Sequence, residues 1–307
     1  MIYDDDGSRD GTVALLYLLT QPQISIQAVN ISYGEAHPSV YIQYIGRMLD
    51  GFGFGDIPLG AGGDAPLATG TPFPDWIREL SNRFWELQLP NADKSYPVQG
   101  APALMAATIN RASVPVTIFS SGTLTTLAQA LRLSPGIRDK IAAVYIMGGA
   151  VNVPGNITNL IPNSNNKVSE WNFYADPQAA KEVFESGLKL YLIPLDATNE
   201  VISHQDDFRL WRNGDGKADL AADIYEMLFT AYGLQEAEIF DPTAAVIMVR
   251  PETCAFQPLH LDVITEAGTN SGQTVVVPNG EPNVDACLDP DAGLIMQALS
   301  DSFSGSQ

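Results

Sequence analysis

Positive charge is scarce in this chain. Sixteen Lys and Arg stand against thirty-six Asp and Glu, a formal net charge of −20 over 307 residues. A surface that acidic repels phosphate backbones and anionic lipid, and no basic segment offsets it, so nucleic acid and membranes are not expected partners. Long hydrophobic runs are missing as well; none approaches the ~20 residues that a bilayer-spanning helix needs. Histidine is limited to His37, His204 and His260, and cysteine to Cys254 and Cys287. A chain of this size folds without covalent staples, which predicts two unpaired core thiols rather than a disulfide. Only Met1, Ile2 and Tyr3 precede the first aspartate. That leaves little room for a first strand and reads as a start trimmed of a native leader; the expected location is cytoplasmic.

What is present is apolar residue in quantity: 45% of the chain, enough to bury a large core as one domain spanning 1–307. Short β-branched runs at 25–32, 114–120, 141–147 and 188–195 predict strands. Stretches of helical period at 12–19, 39–49, 124–133 and 177–185 lie between them, several introduced by Thr, Ser or Asp-Pro. The alternation predicts an α/β fold with a mostly parallel, Rossmann-like central sheet flanked by helices. Ligands of such sheets bind at the carboxyl ends of the strands. Segments 71–97, rich in aromatics and Pro, and 152–168, polar and Asn-rich, read as excursions over that end. Further strands are expected at 261–265 and 274–277, and a frayed tail at 302–307.

The densest chemistry lies at the N-terminus, where Asp4, Asp5, Asp6 and Asp10 fall within seven residues, just before an apolar helix. Four carboxylates so close repel one another unless a cation sits among them, and hard oxygen ligands suit Ca²⁺ or Mg²⁺ rather than zinc. A solvated acidic turn with Asp10 as a helix cap explains the same residues without any ligand. The opening Asp4, Asp6, Gly7 and Ser8 also mimics the Asp-x-Asp-Gly-Thr of haloacid-dehalogenase-like phosphatases.

Downstream segments favour another family. Residues Ser121-Gly122-Thr123-Leu124, Met147-Gly148-Gly149-Ala150 with Pro154-Gly155-Asn156, Glu170-Trp171-Asn172 before Asp176-Pro177, and Asp241-Pro242 follow the aspartate cluster in the order found in inosine-uridine nucleoside hydrolases, which the chain resembles from Asp4 to Pro242. The resemblance implies hydrolysis of the N-glycosidic bond of ribonucleosides, with Ca²⁺ as cofactor. It also implies metal ligation by Asp6, the Ser121 carbonyl and Asp241, with Asp6 activating the attacking water. Asp10 would bind the ribose 2′-hydroxyl, and Met147, Asn156, Glu170 and Asn172 would line the rest of the sugar site. The chemistry asks for such residues independently, because an oxocarbenium-like sugar needs a rigid grip, nearby negative charge and an activated water. A dimer or tetramer is implied by resemblance alone.

Three positions depart from the family pattern. Gly11 stands where a second aspartate usually supplies a metal ligand, so affinity falls unless Asp4, Asp5 or water compensates. Glu35 replaces an asparagine after the second strand, and Phe240 replaces a histidine that protonates the departing base. These losses leave open a ribose- or nucleoside-binding homologue without turnover. His37, in a loop after a strand, is a candidate for the site, and His260 reads as structural. Trp76, Phe84, Trp85, Tyr225, Phe229, Tyr232 and Phe240 are candidates for stacking on a base, although core packing accounts for most aromatics.

Overall fold

The computed structural model describes residues 1–90, 94–212 and 214–305. Nine strands form one sheet in the order β10-β13-β7-β6-β5-β1-β2-β3-β4. In chain order they are β1 Ile2–Asp5, β2 Ala28–Ile31, β3 Leu59–Ala61, β4 Val98–Gly100, β5 Val116–Ser120, β6 Ile141–Met147 and β7 Leu190–Ile193. Two small antiparallel ribbons follow, one pairing β8 Ile202–His204 with β9 Glu236–Glu238 and one pairing β11 Leu261–Val263 with β12 Thr274–Val276. The sheet is completed by β10 Cys254–Leu259 and β13 Val284–Pro290, whose antiparallel pairing is its only departure from parallel. All four strands expected in the first part of the chain are present, the one at 141–147 with the expected bounds and the other three shortened. The pair expected near 261 and 274 forms a ribbon outside the main sheet, and residues 306–307 of the expected tail lie outside the described residues.

The cluster aspartates themselves build the first strand, which corrects the expectation that little room remained for one. Tyr3, Asp4 and Asp5 pair with Val29, Asn30 and Ile31 on one side, and Tyr3 and Asp4 with Phe119 and Ser120 on the other. That places β1 at the centre, where chain order reverses between β2 and β5, the point at which such sheets open a crevice. The period-2 alternation of the pleat then decides where each acid goes. Ile2 packs in the core on one face and Tyr3 in the core on the other. Asp4 follows Ile2, and Asp5 follows Tyr3 onto the face covered by the Arg9–Thr20 helix.

That helix is capped by Ser8, whose Oγ accepts from the Gly11 amide at 2.8 Å, and not by Asp10, which falls in the first turn. Gly7, at φ 89°, supplies the left-handed turn between strand and helix. The two cysteines are bridged: Cys254 on β10 and Cys287 on β13 lie across the antiparallel pair with Cα atoms 6.0 Å apart, so the expectation of free thiols is wrong. Sequence spacing conveyed nothing of this, because the pairing is set by strand register. Among the described residues no helix is long and apolar enough to cross a membrane.

Candidate active site at the sheet switch point

A cavity of about 410 Å³ opens at the carboxyl ends of β1, β5 and β6, within the range of small-molecule sites. All nine residues singled out for the site line it: Asp6, Asp10, Glu35, Ser121, Met147, Asn156, Glu170, Asn172 and Asp241. Asp6 follows β1, Ser121 follows β5 and Met147 ends β6. Asp241 comes from the first turn of the Phe240–Val249 helix. The strand ends at the switch point supply Asp6, Ser121 and Met147, and the loops and helix starts packed over them bring in the others, although the nine are spread over more than two hundred residues of sequence.

Their hydrogen bonds fix them in place. Asn172 Nδ2 donates to the carbonyls of Ser121, at 3.1 Å, and Met147, at 3.2 Å, tying β5 to β6 across the cavity floor. The Glu170 carboxylate caps the helix Trp171–Ala175, accepting from the amides of Asn172 at 2.8 Å and Phe173 at 3.2 Å, and from Gly149 at 2.9 Å. Asn156 Oδ1 accepts from the Trp171 amide, which draws the segment 152–168 against that same helix. Asp10 accepts from the Phe240 amide at 3.0 Å and from the Tyr225 hydroxyl at 3.4 Å, joining the first helix to the element that carries Asp241. Glu35 donates its amide to Asp6 Oδ2 at 3.2 Å, while its carboxylate accepts from Ser81 Oγ at 2.6 Å.

So many buried acids, with Arg9 the one cationic side chain in the cavity lining, are pushed toward their neutral forms. Burial first, then the charges of Asp5 and Glu35, raises Asp6 well above the usual carboxylate range. Asp241 is raised by burial and by the charges of Asp10, Asp5 and Asp6. Burial lifts Asp5 and Asp10 to about 6, and Glu35 and Glu170 to about 7. A bound cation would relieve this repulsion, and the all-oxygen donor set suits a hard one. The acids are nonetheless spread out: among the described residues no three His, Cys, Asp or Glu side chains converge as a ready-made metal cluster. Between Asp5 and Asp241 stands Ser8 Oγ, 2.9 Å from Asp241 Oδ2 and 3.5 Å from Asp5 Oδ1.

Gly11 has a plain geometric partner. A Cβ built on it would lie 1.9 Å from Asp5 Oδ1 and 2.4 Å from Asp5 Cγ, so the Asp5 carboxylate fills the space that a side chain at position 11 would take. Asp5 is held there by the Gly7 amide at 2.9 Å and Ser121 Oγ at 3.1 Å. Asp4, on the other face of the sheet, bonds to Ser32 Oγ; neither it nor Asp5 is in the cavity lining.

The characteristic pattern of the inosine-uridine preferring nucleoside hydrolases matches residues 1–297. This chain belongs to that family. Among curated relatives, the pyrimidine-specific ribonucleoside hydrolase RihA of Citrobacter koseri is 28% identical over 314 aligned positions, covering 99% of this chain and 97% of that protein. RihA of Salmonella paratyphi C is 29% identical, covering 95% and 94%. Among solved structures, the inosine-uridine preferring nucleoside hydrolase of Bacillus anthracis superposes with a TM-score of 0.84 at 23% identity, covering 99% of this chain and 98% of that one. The purine-preferring ribonucleoside hydrolase of Gardnerella vaginalis gives 0.84 at 22%, with the same coverage. As a nucleoside hydrolase, this protein cleaves ribonucleosides to ribose and free base, and the phosphatase reading drops out.

The nucleoside hydrolase cavity also contains residues that sequence reasoning passed over. Phe73 and Trp171 stack at 4.6 Å between ring centroids on one wall. Leu228, Leu234, Glu238 and Arg9 also line the cavity. Of the aromatic candidates, Trp76, Tyr232 and Phe240 reach the cavity. Phe84 and Trp85 pack on Tyr41, and Tyr225 and Phe229 pack on Phe208, all in the core. His37 caps the Pro38–Gly51 helix, pairs with Asn82 and does not line the cavity. His260 lies between β10 and β11, its Nδ1 2.5 Å from the Glu281 carbonyl. Leu228 lies one helical turn before Tyr232 on the Gly216–Tyr232 helix, so the aromatic candidate Tyr232 was the sequence signal that could have found it.

Proposed function

We propose that the 410 Å³ cavity is the catalytic site, with the ribose held against Asp10, Asn156, Glu170 and Asn172 and the base directed toward the aromatic walls. In this reading residues 1–307 form one nucleoside hydrolase-like domain, and Asp6 takes the proton from water as it adds to the anomeric carbon. Asp10 accepts a hydrogen bond from the ribose 2′-hydroxyl. The observation that carries the proposal is the convergence of acids, amides and the Ser121 carbonyl on one crevice at the switch point, chemistry suited to a sugar that develops positive charge.

The cofactor in this reading is Ca²⁺, held by Asp6, Asp241 and the Ser121 carbonyl. Such an ion supplies charge that lowers the pKa of water and keeps its neighbours ionised. Asp5 restores the carboxylate that Gly11 lacks, supported by its occupation of the side-chain space at position 11. Release of reducing sugar from uridine, cytidine, inosine, adenosine and guanosine, with millimolar CaCl₂ and again after chelation, tests the assignment. Turnover that survives chelation unchanged would remove the metal from it, and Asp6→Asn at wild-type rate would remove Asp6.

A further inference from the structure

Cleavage of a nucleoside needs something on the base side, because the C1′–N bond breaks with its electron pair leaving on the base. Six carboxylates line the cavity, Asp6, Asp10, Glu35, Glu170, Glu238 and Asp241, and they repel a departing anion. No histidine, lysine or cysteine is among the lining residues. One cationic side chain is: Arg9, which lies over the Tyr232 ring and directly precedes Asp10, whose carboxylate accepts from the Phe240 amide.

Arg9 is poorly placed for stability. It occupies the first position of the Arg9–Thr20 helix, where a cation faces the positive end of the helix dipole. Its described contact is with the Tyr232 ring, the guanidinium carbon 5.8 Å from the centroid, and it forms no ion pair among the described residues. Tyr232 is itself 45% exposed, so the pair stands at the cavity mouth and is not part of the core. Asp10 and Glu35 feel its charge without being bridged by it. A guanidinium in a cavity whose other charged lining residues are acids can give two N–H bonds to neighbouring acceptors of a departing base, N1 and O2 of a uracil anion or N7 and O6 of hypoxanthine.

We propose that Arg9, steadied on Tyr232, is the catalytic residue that holds the departing base and stabilises the negative charge it acquires. This rests on the reading of the cavity as the active site. Arg9 stays protonated throughout, so it is no proton donor. Water adds to C1′ and gives its proton to Asp6, the glycosidic electron pair goes to the base nitrogen, and the base anion held by Arg9 is protonated by solvent.

The test compares leaving groups. With uridine and inosine, Arg9→Ala lowers kcat/KM by about 100-fold, the size expected for removing one preorganised donor to a developing anion. With p-nitrophenyl β-D-ribofuranoside, whose phenolate leaves without such help, the same variant stays within roughly threefold of wild type on that argument. Arg9→Lys recovers only part of the loss, because an ammonium lacks the planar fork, and added guanidinium ion restores some nucleoside turnover to Arg9→Ala. Equal losses on both kinds of substrate would make Arg9 a ribose or folding residue and overturn the proposal, as would unchanged nucleoside turnover. Asp6→Asn separates the underlying reading. It should abolish turnover of every substrate, and a wild-type rate there would refute the cavity assignment rather than the role of Arg9.

Discussion

Restoring the family's usual aspartate at position 11, by Gly11→Asp, should damage this protein rather than repair it. The new Cβ would lie 1.9 Å from Asp5 Oδ1 and 2.7 Å from Oδ2, with Asp5 itself 1% exposed and hydrogen-bonded on two sides. Overpacking of this kind costs about 1–3 kcal/mol. A second carboxylate about 4 Å from the first adds about 4 kcal/mol at an effective dielectric of about 20, an amount capped by protonation of one of the pair. Replacing a helical glycine returns up to about 1 kcal/mol. The expected net loss is about 4–6 kcal/mol. For 307 residues the unfolding entropy is about 0.6 kcal/mol per degree, so Tm should fall by about 6–9 °C. Asp5→Ser alone loses the bonds to Gly7 and Ser121 and should cost about 1–2 kcal/mol. The double variant Asp5→Ser/Gly11→Asp removes both the overlap and the extra charge, and should return to within about 2 kcal/mol of wild type, a coupling of at least about 3 kcal/mol. Thermal and urea unfolding of the four proteins in chelator measures the cycle. Gly11→Asp within 1 kcal/mol of wild type, or strictly additive effects, would refute the argument that Asp5 and position 11 compete for one space.

Other expectations follow from the same geometry. Glu35 and Glu170 are raised to about 7 chiefly by burial, above their unfolded values near 4.5, so the native state binds more protons between those limits. Their contribution is full below pH 4.5 and is lost as pH rises through 7; metal-free Tm should decline from pH 5 to pH 7.5, and a flat profile would count against the burial of these acids. Millimolar Ca²⁺ should raise Tm most at the high end of that range, read by the same melts with and without the ion. Asp10→Asn keeps an acceptor for the Phe240 amide and a partner for the Tyr225 hydroxyl, so stability should change by less than about 1 kcal/mol. Its kcat/KM should nevertheless fall by about 100-fold or more, and a large loss of stability instead would recast Asp10 as a structural tie. Reducing the Cys254–Cys287 bridge, which closes a loop across 33 positions, should cost about 3–4 kcal/mol and about 5 °C in Tm; melts with and without reductant decide it.

The sequence by itself determined a good deal here. Alternating β-branched and helical-period segments dictated the parallel α/β layers, because both periodicities are local and apolar faces must be buried. The order of Asp6, Ser121, Met147, Asn156, Glu170, Asn172 and Asp241, matched to the motif order of nucleoside hydrolases, was enough to name residues that meet in the cavity, which opens where such sheets place their ligands. What it left undecided are relations between residues whose proximity no local rule predicts. Cys254 and Cys287 were read as separate thiols because only the register of β10 on β13 brings them together. Asp4 and Asp5 were equivalent candidates to make good Gly11 until the pleat turned one under the Arg9–Thr20 helix and the other away. Arg9 drew no notice as one charge beside four aspartates, and became the cavity's lone cation only when a helix starting more than two hundred residues later closed the wall against it. Local pattern fixes what each segment becomes; which side chains share a space is settled by packing, because it depends on distances between segments that the chain order does not contain.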